Sequence, residues 1–326
     1  MPSSPSVLHF PSSRVLLPRT RLAYVHLRNL LTDAKRDRAA RISGYVAISL
    51  PEELVTLYLV RGEVVNATVR DARGVYATPI ALGIEAVPAE PEYGEICFDE
   101  ADEEQLACMF ATQSAPADPW PEGLAAHDPA ALFPYLMSTT FDGVLEIIAN
   151  DNVNYLVFRN GTVSRAFLSS SHHGTVVDRV AKLFGRAGRV GEIRVARWAG
   201  ALGALPAQAP SALVHAYRDL ASALVQSLVD RGRDTAPAIA EHARQNLVAT
   251  HSVLESFSFA GAAVKEPLVD TPALTAGVAA WIREVMWAAV DHDVVSPDEL
   301  MRELTWDRRH MFQSAGLYDE IPWKVM

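Results

Sequence analysis

Cysteine is nearly absent. Of 326 residues only Cys97 and Cys108 carry a thiol, and they lack the Cys-x-x-Cys spacing of a zinc clamp or redox pair. Two thiolates cannot complete a structural zinc site, so buried free thiols in a reducing compartment are expected. Cations are also under-represented: 29 Lys and Arg stand against 39 Asp and Glu, a net charge of −10. Nucleic acid and anionic membrane are thereby excluded as main partners, because both require basic patches. A local basic run, Lys35 to Arg41, reads as a solvated helix face. No apolar run reaches the roughly 18 residues of a membrane helix. The proline-broken start, MPSSPSVLHFPSSRVLLPRTR, does not read as a signal peptide, and a cytoplasmic location is expected. The motifs of common chemistry are missing too. There is no Gly-x-Ser-x-Gly elbow and no His-Glu-x-x-His helix, and GRAGR at 185–189 is too short for a dinucleotide loop. No metal, no cofactor and no enzymatic activity are expected.

What the chain does have is a repeat. Ile42 to Thr68, ISGYVAISLPEELVTLYLVRGEVVNAT, returns as Phe141 to Phe167, FDGVLEIIANDNVNYLVFRNGTVSRAF. At an offset of 99, Gly44 falls on Gly143, Ile48 on Ile147, Leu57 on Leu156, Gly62 on Gly161, Val64 on Val163 and Ala67 on Ala166. Both copies read strand, polar turn, strand, tight turn, strand. Arg61-Gly62 and Asn160-Gly161 are the tight turns, because a type I′ hairpin needs positive φ at both central positions. Gly94-Glu95-Ile96 also echoes as Gly191-Glu192-Ile193.

The chain divides on this basis into an extended lead (1–20), a first repeat (21–111), a proline-rich linker (112–129), a second repeat (130–199), a low-polarity linker (200–210) and a helical C-terminal domain (211–326). Helices are expected over 22–31, 80–87, 103–110 and 130–137. Leu30 precedes Gly44 by fourteen residues and Leu136 precedes Gly143 by seven, an insertion of about two helical turns. Val176, Val177, Val180, Leu183 and Phe184 mark another helix. Beyond 210, Ser211 is expected to cap a helix to Asp230, another covers 237–254, and Thr271-Pro272 opens a long one to Val290. Ser296-Pro297-Asp298-Glu299 is a capping-box match starting a helix to about His310. The aromatic tail, 312–326, is expected to dock with Trp323 largely buried. The fold class is α+β: two repeated β-hairpin-plus-helix units, then an all-helical unit.

The pattern G-x-x-x-I, then L-x-x-x-x-G-x-V-x-x-A, on Gly143, Ile147, Leu156, Gly161, Val163 and Ala166 resembles the PATAN-type domain of bacterial signalling proteins. Gly44, Ile48, Leu57, Gly62, Val64 and Ala67 form the weaker copy, and the resemblance covers about 20–199. It implies a non-enzymatic interaction or adaptor module in signal transduction, with a response regulator or other signalling protein as partner. Homo-oligomerisation stays open. A small-molecule sensor with a pocket between the repeats is the alternative, and a hydrolase using His172 or His173 the second.

The most reactive-looking cluster is Ser171, His172, His173 and Thr175, with Asp178 nearby. It lies between a strand and a helix, where backbone N–H groups can hold an anion. Its spacing matches no nucleophile motif, and a polar loop with an N-cap explains it better. Asp291-His292-Asp293, His242 and His310 read as solvated helix positions. Glu52, Glu53, Asp151 and Asn152 read as turn residues.

Overall fold

The computed structural model describes residues 8–36, 42–88, 93–169, 175–186, 193–200, 202–257, 267–289 and 296–325. The chain forms two compact units, 1–206 and 207–326. In the first unit lie β1 (Arg14–Arg21), α1 (Leu27–Arg36), β2 (Gly44–Ser49), β3 (Leu54–Val60), β4 (Glu63–Asp71), β5 (Gly74–Thr78), α2 (Ile80–Glu85), β6 (Glu95–Glu100) and α3 (Glu103–Ser114). They are followed by α4 (Pro129–Ser138), β7 (Gly143–Ala149), β8 (Asn152–Arg159), β9 (Thr162–Leu168), α5 (Val176–Arg186) and β10 (Ile193–Ala199). A six-stranded antiparallel sheet runs β1-β6-β2-β3-β4-β5, and a four-stranded one runs β10-β7-β8-β9.

The two sheets share one register. Gly44 pairs with Leu59 and Glu100; Gly143 pairs with Phe158 and Ala199, each partner 99 residues further on. The β-bulges also coincide, at Tyr58/Leu59 and at Val157/Phe158. Both tight turns have two positive φ angles: 53° and 82° at Arg61-Gly62, 50° and 74° at Asn160-Gly161. Each turn is tied to the residue before its first strand. The Gly62 N–H donates to Ile42 O at 2.7 Å and the Gly161 N–H to Phe141 O at 2.9 Å. Ser43 Oγ and Asp142 Oδ1 accept from the backbone N–H of Arg61 and Asn160. A bulge, a turn and a tether at the same positions are hard to reach twice by independent routes.

α3 joins the sheets. It is apolar on more than one side, and a helix of that kind must be covered on both. Leu106, Cys108 and Met109 share a core with Tyr45 and Tyr58 of the first sheet and Val144, Tyr155 and Val157 of the second. The outer face of the first sheet packs Val46, Val55 and Leu57 with Leu27 and Ala34 of α1. The outer face of the second packs Leu145, Ile147 and Leu156 with Leu132 and Leu136 of α4.

The second unit contains α6 (Ser211–Asp230), α7 (Ala236–Leu247), α8 (Thr271–Ala289), α9 (Pro297–Thr305), α10 (Arg309–Ser314) and α11 (Leu317–Glu320) around a single core. Trp281 is fully buried in it and donates its indole N–H to Ala240 O at 2.9 Å. Phe312, Leu317, Ile321 and Val325 seat the tail on the same core, and Tyr217 stacks on Phe312 with centroids 5.3 Å apart.

Residues 14–21, expected as part of a lead that is flexible or laid as an extended strand on a neighbour, form an edge strand on β6, where Pro18 is tolerated because one side of the ladder needs no donor. Several other expectations are corrected. Helix 22–31 is a single 3-10 turn at Leu22–Tyr24, then α1 five residues later. β5 was not expected at all. The stretch 112–129 is not a free linker: the Asp118 N–H donates to Arg197 O, and Trp120 Nε1 to Val195 O at 3.1 Å. The Gly-Glu-Ile echo is out of step by two: Ile96 pairs with Ile48, but Val195, not Ile193, pairs with the equivalent Ile147. A slip of two keeps the same face, which is why the echo looked sound. Ala34 O and Leu136 O approach the two turn glycines, ten and seven residues ahead of Gly44 and Gly143. The insertion is therefore three residues, not two turns. The α6 cap position is Pro210, the helix over 237–254 is α7 followed by a 3-10 turn at Ser252–Glu255, and Ser296 makes no side-chain capping bond. Trp323 is half-buried.

Candidate functional site

A large apolar recess lies on the second repeat between α4 and α5. Each helix starts at a side-chain cap. Asp128 accepts from the Ala130 N–H at 2.9 Å, and Pro129 needs no donor at the first position. Thr175 and Asp178 cap α5 reciprocally: the Asp178 N–H donates to Thr175 Oγ1 at 3.2 Å, while the Thr175 N–H and hydroxyl both donate to Asp178 Oδ2. These bonds from Thr175 hold the Asp178 carboxyl below the ordinary carboxylate range. Thr175 is thus committed to a cap. Ser171, His172 and His173, like Asp291-His292-Asp293 and Gly191-Glu192, lie outside the described residues.

α5 is strongly amphipathic, yet none of its described side chains is fully buried. Phe133 of α4 meets Phe184 of α5 edge-on at 6.0 Å and lies against Phe158 of β8 at 6.3 Å. Around these rings lies a groove of about 590 Å³, lined by Pro129, Phe133, Val163, Val176, Val177, Val180, Ala181, Phe184 and Gly185. Val177 is 77% exposed, with Val176 and Val163 also open to solvent. Every lining side chain is apolar. The corresponding recess of the first repeat, between α1 and α2, is about 300 Å³ and brings His26, Arg28 and Glu85 to its wall.

A second cluster escaped the sequence reading. Glu146 of β7 is buried between the sheets, where desolvation raises its carboxyl pKa and Arg70 of β4 partly offsets the rise. Arg70 Nε donates to Gln113 Oε1 at 3.3 Å, and Thr112 Oγ1 donates to the Tyr155 hydroxyl at 3.4 Å. Hydrogen bonds from Thr112 and Tyr155 also favour the Glu146 carboxylate, while among the described residues Glu146 Oε2 and Gln113 Nε2 have no partner. In GVLEIIA the carboxylate takes the alternate position of a half-exposed strand, which reads as solvent-facing. Only α3, distant in sequence, reveals that this face is covered too.

Other ionisable groups carry little chemical promise. Burial pushes both thiols up to about 12, for Cys97 as for Cys108, so neither is a nucleophile near neutral pH. Among the described residues no three His, Cys, Asp or Glu converge as a metal site, and no helix is long and apolar enough to cross a membrane. His242 and His310 are exposed on separate helices. Asn150 and Asp151 take positive φ, as turn residues do. The four glycines Gly44, Gly62, Gly143 and Gly161 are structural: a Cβ on any of them would run into the backbone of a neighbouring element. No family model matches this chain, and neither does any curated protein or any solved structure.

Proposed function

We propose that this chain is a non-enzymatic protein-interaction module, an adaptor of bacterial signal transduction, and that the α4–α5 groove is where its partner docks. The observation that carries the reading is the groove's composition: an open recess of about 590 Å³ whose lining, among the described residues, is apolar throughout. A catalytic or small-ligand pocket combines apolar walls with a few placed polar groups. A protein-docking surface shows a contiguous apolar patch with a polar surround, as here. The resemblance of Gly143 to Ala166 to the PATAN-type pattern supplies the signalling context and the expectation of a response regulator or other signalling protein as partner. The sensor alternative draws less support, because α3 fills the space between the sheets. The hydrolase alternative draws least, because Thr175 and Asp178 are engaged in a helix cap.

The test is site-specific photo-cross-linking in host cells. A benzophenone side chain replacing Val177 should give a discrete adduct identifiable by mass spectrometry. The same group replacing Val15, also exposed but on β1, should not. Equal labelling at both positions, or none at Val177, would refute the docking site.

A further inference from the structure

The two repeats agree closely in register but differ at both sheet edges: β1 flanks β6 and β5 flanks β4, whereas the equivalent β10 and β9 end the second sheet. In the first, β4 is not an edge. β5 pairs along it, with Ala67 opposite Thr78, Thr68 opposite Ala77 and Val69 opposite Tyr76. In the second, β9 ends the sheet, and among the described residues nothing pairs with its outer side. The difference is visible in burial. Ala67 and Val69 are 0% and 5% exposed, whereas their equivalents Ala166 and Leu168 are only half-buried. Upstream on β9, Thr162 to Arg165 are all exposed, and Val163 forms part of the groove wall under α5.

We propose that β9 accepts a short, uncharged, β-branched strand from a partner protein, in the place that β5 fills in the first repeat. The proposal rests on the protein-docking reading above and specifies the form of the partner segment. An unpaired strand edge presents a row of N–H and C=O groups that bind an extended chain by strand addition. The added strand would continue a ladder whose counterpart already exists within the molecule. β5 itself states the chemistry: Gly-Val-Tyr-Ala-Thr has no charge, and three of its five residues are β-branched or aromatic. Alternate side chains of such a strand project to the face on which Val163 and the α5 valines lie, so ladder and groove form one continuous surface.

The experiment titrates ¹⁵N-labelled full-length chain with an acetylated, amidated Gly-Val-Tyr-Ala-Thr peptide. Amide shifts are expected at Thr162 to Ser169 and Val176 to Val180. In an antiparallel ladder alternate residues face the partner. N-methylating one alternate set of peptide amides should therefore abolish the shifts, and the other set should leave affinity within about threefold. Equal effects of the two sets, shifts centred on β4 or on the helical unit, or no shifts at millimolar peptide would overturn strand addition. If cross-linking at Val177 persists while the peptide fails, docking stands and the strand is wrong. If both fail, both readings fall.

Discussion

Four glycines separate two contributions that ordinarily come mixed. Gly161 has φ +74°, and an added Cβ would lie 2.8 Å from Met137 Cα and 2.9 Å from Leu136 O, both backbone atoms of α4. Gly123 has φ +82° but open space around it. Gly44 lacks a positive φ, yet its Cβ would press into the carbonyl of Asp99 on the neighbouring strand. Gly185, near the end of α5, has neither problem. The left-handed conformation costs a non-glycine residue about 1–2 kcal/mol. Forcing a methyl into a packed contact costs about 1–3 kcal/mol. Gly123→Ala should therefore lose about 1–2 kcal/mol through conformation alone, and Gly44→Ala about 1–3 kcal/mol through crowding alone. Gly161→Ala carries both and should lose about 2–5 kcal/mol. Gly185→Ala should be neutral or stabilise by up to about 1 kcal/mol, since alanine is the better helix former. For a unit of this size, 1 kcal/mol moves Tm by about 2–4 °C, so thermal unfolding followed by circular dichroism resolves the series. If Gly161→Ala costs no more than Gly123→Ala, α4 does not bear on the turn and the argument from close approach is wrong.

Glu146→Gln should change the pH dependence of stability. The folded pKa of Glu146 is raised, chiefly by burial. Its contribution is therefore fully present below the unfolded carboxylate value of about 4.3 and is lost as pH rises through the folded value. Urea unfolding from pH 4 to 8 should show the variant gaining on the wild type by up to about 1.4 kcal/mol per pH unit, then levelling off; parallel curves would mean that the site is solvated. Deleting 312–326 removes four buried core residues, including Phe312 stacked on Tyr217. At about 2 kcal/mol each the helical unit should unfold or aggregate, and an unchanged Tm with a monomeric elution profile would instead mark the tail as dispensable to the core.

The hairpins were legible because their signals are local. A turn with Asn-Gly or Arg-Gly at its centre, flanked by alternating apolar residues, names its own register. The helical unit was legible as helices because the 3.6-residue stripes of Leu213 to Leu228 and Leu274 to Val285 are long and regular. What was missed depended on partners distant in the chain. β5 is five residues long, and its cue, Gly74 at φ +124°, has meaning only once β4 is there to pair with. Glu146 looked exposed because strand alternation cannot show that a helix from 103–114 covers the second face.

The groove belongs to that last kind. Val176, Val180, Leu183 and Phe184 were legible as an apolar helix face, and the natural inference was a face turned into a core. The fold buries that face only in part: Val177 is 77% exposed, and among the described residues no strand pairs with the outer side of β9. The two repeats share the hairpins, the bulge and the tethered turn. Their sheets differ at both edges, where β1 and β5 flank only the first. Every open sheet ends in two unpaired edges, so an edge alone is no guide to function. What sets β9 apart is the apolar groove beside it, and edge and groove together are what a docking strand would use.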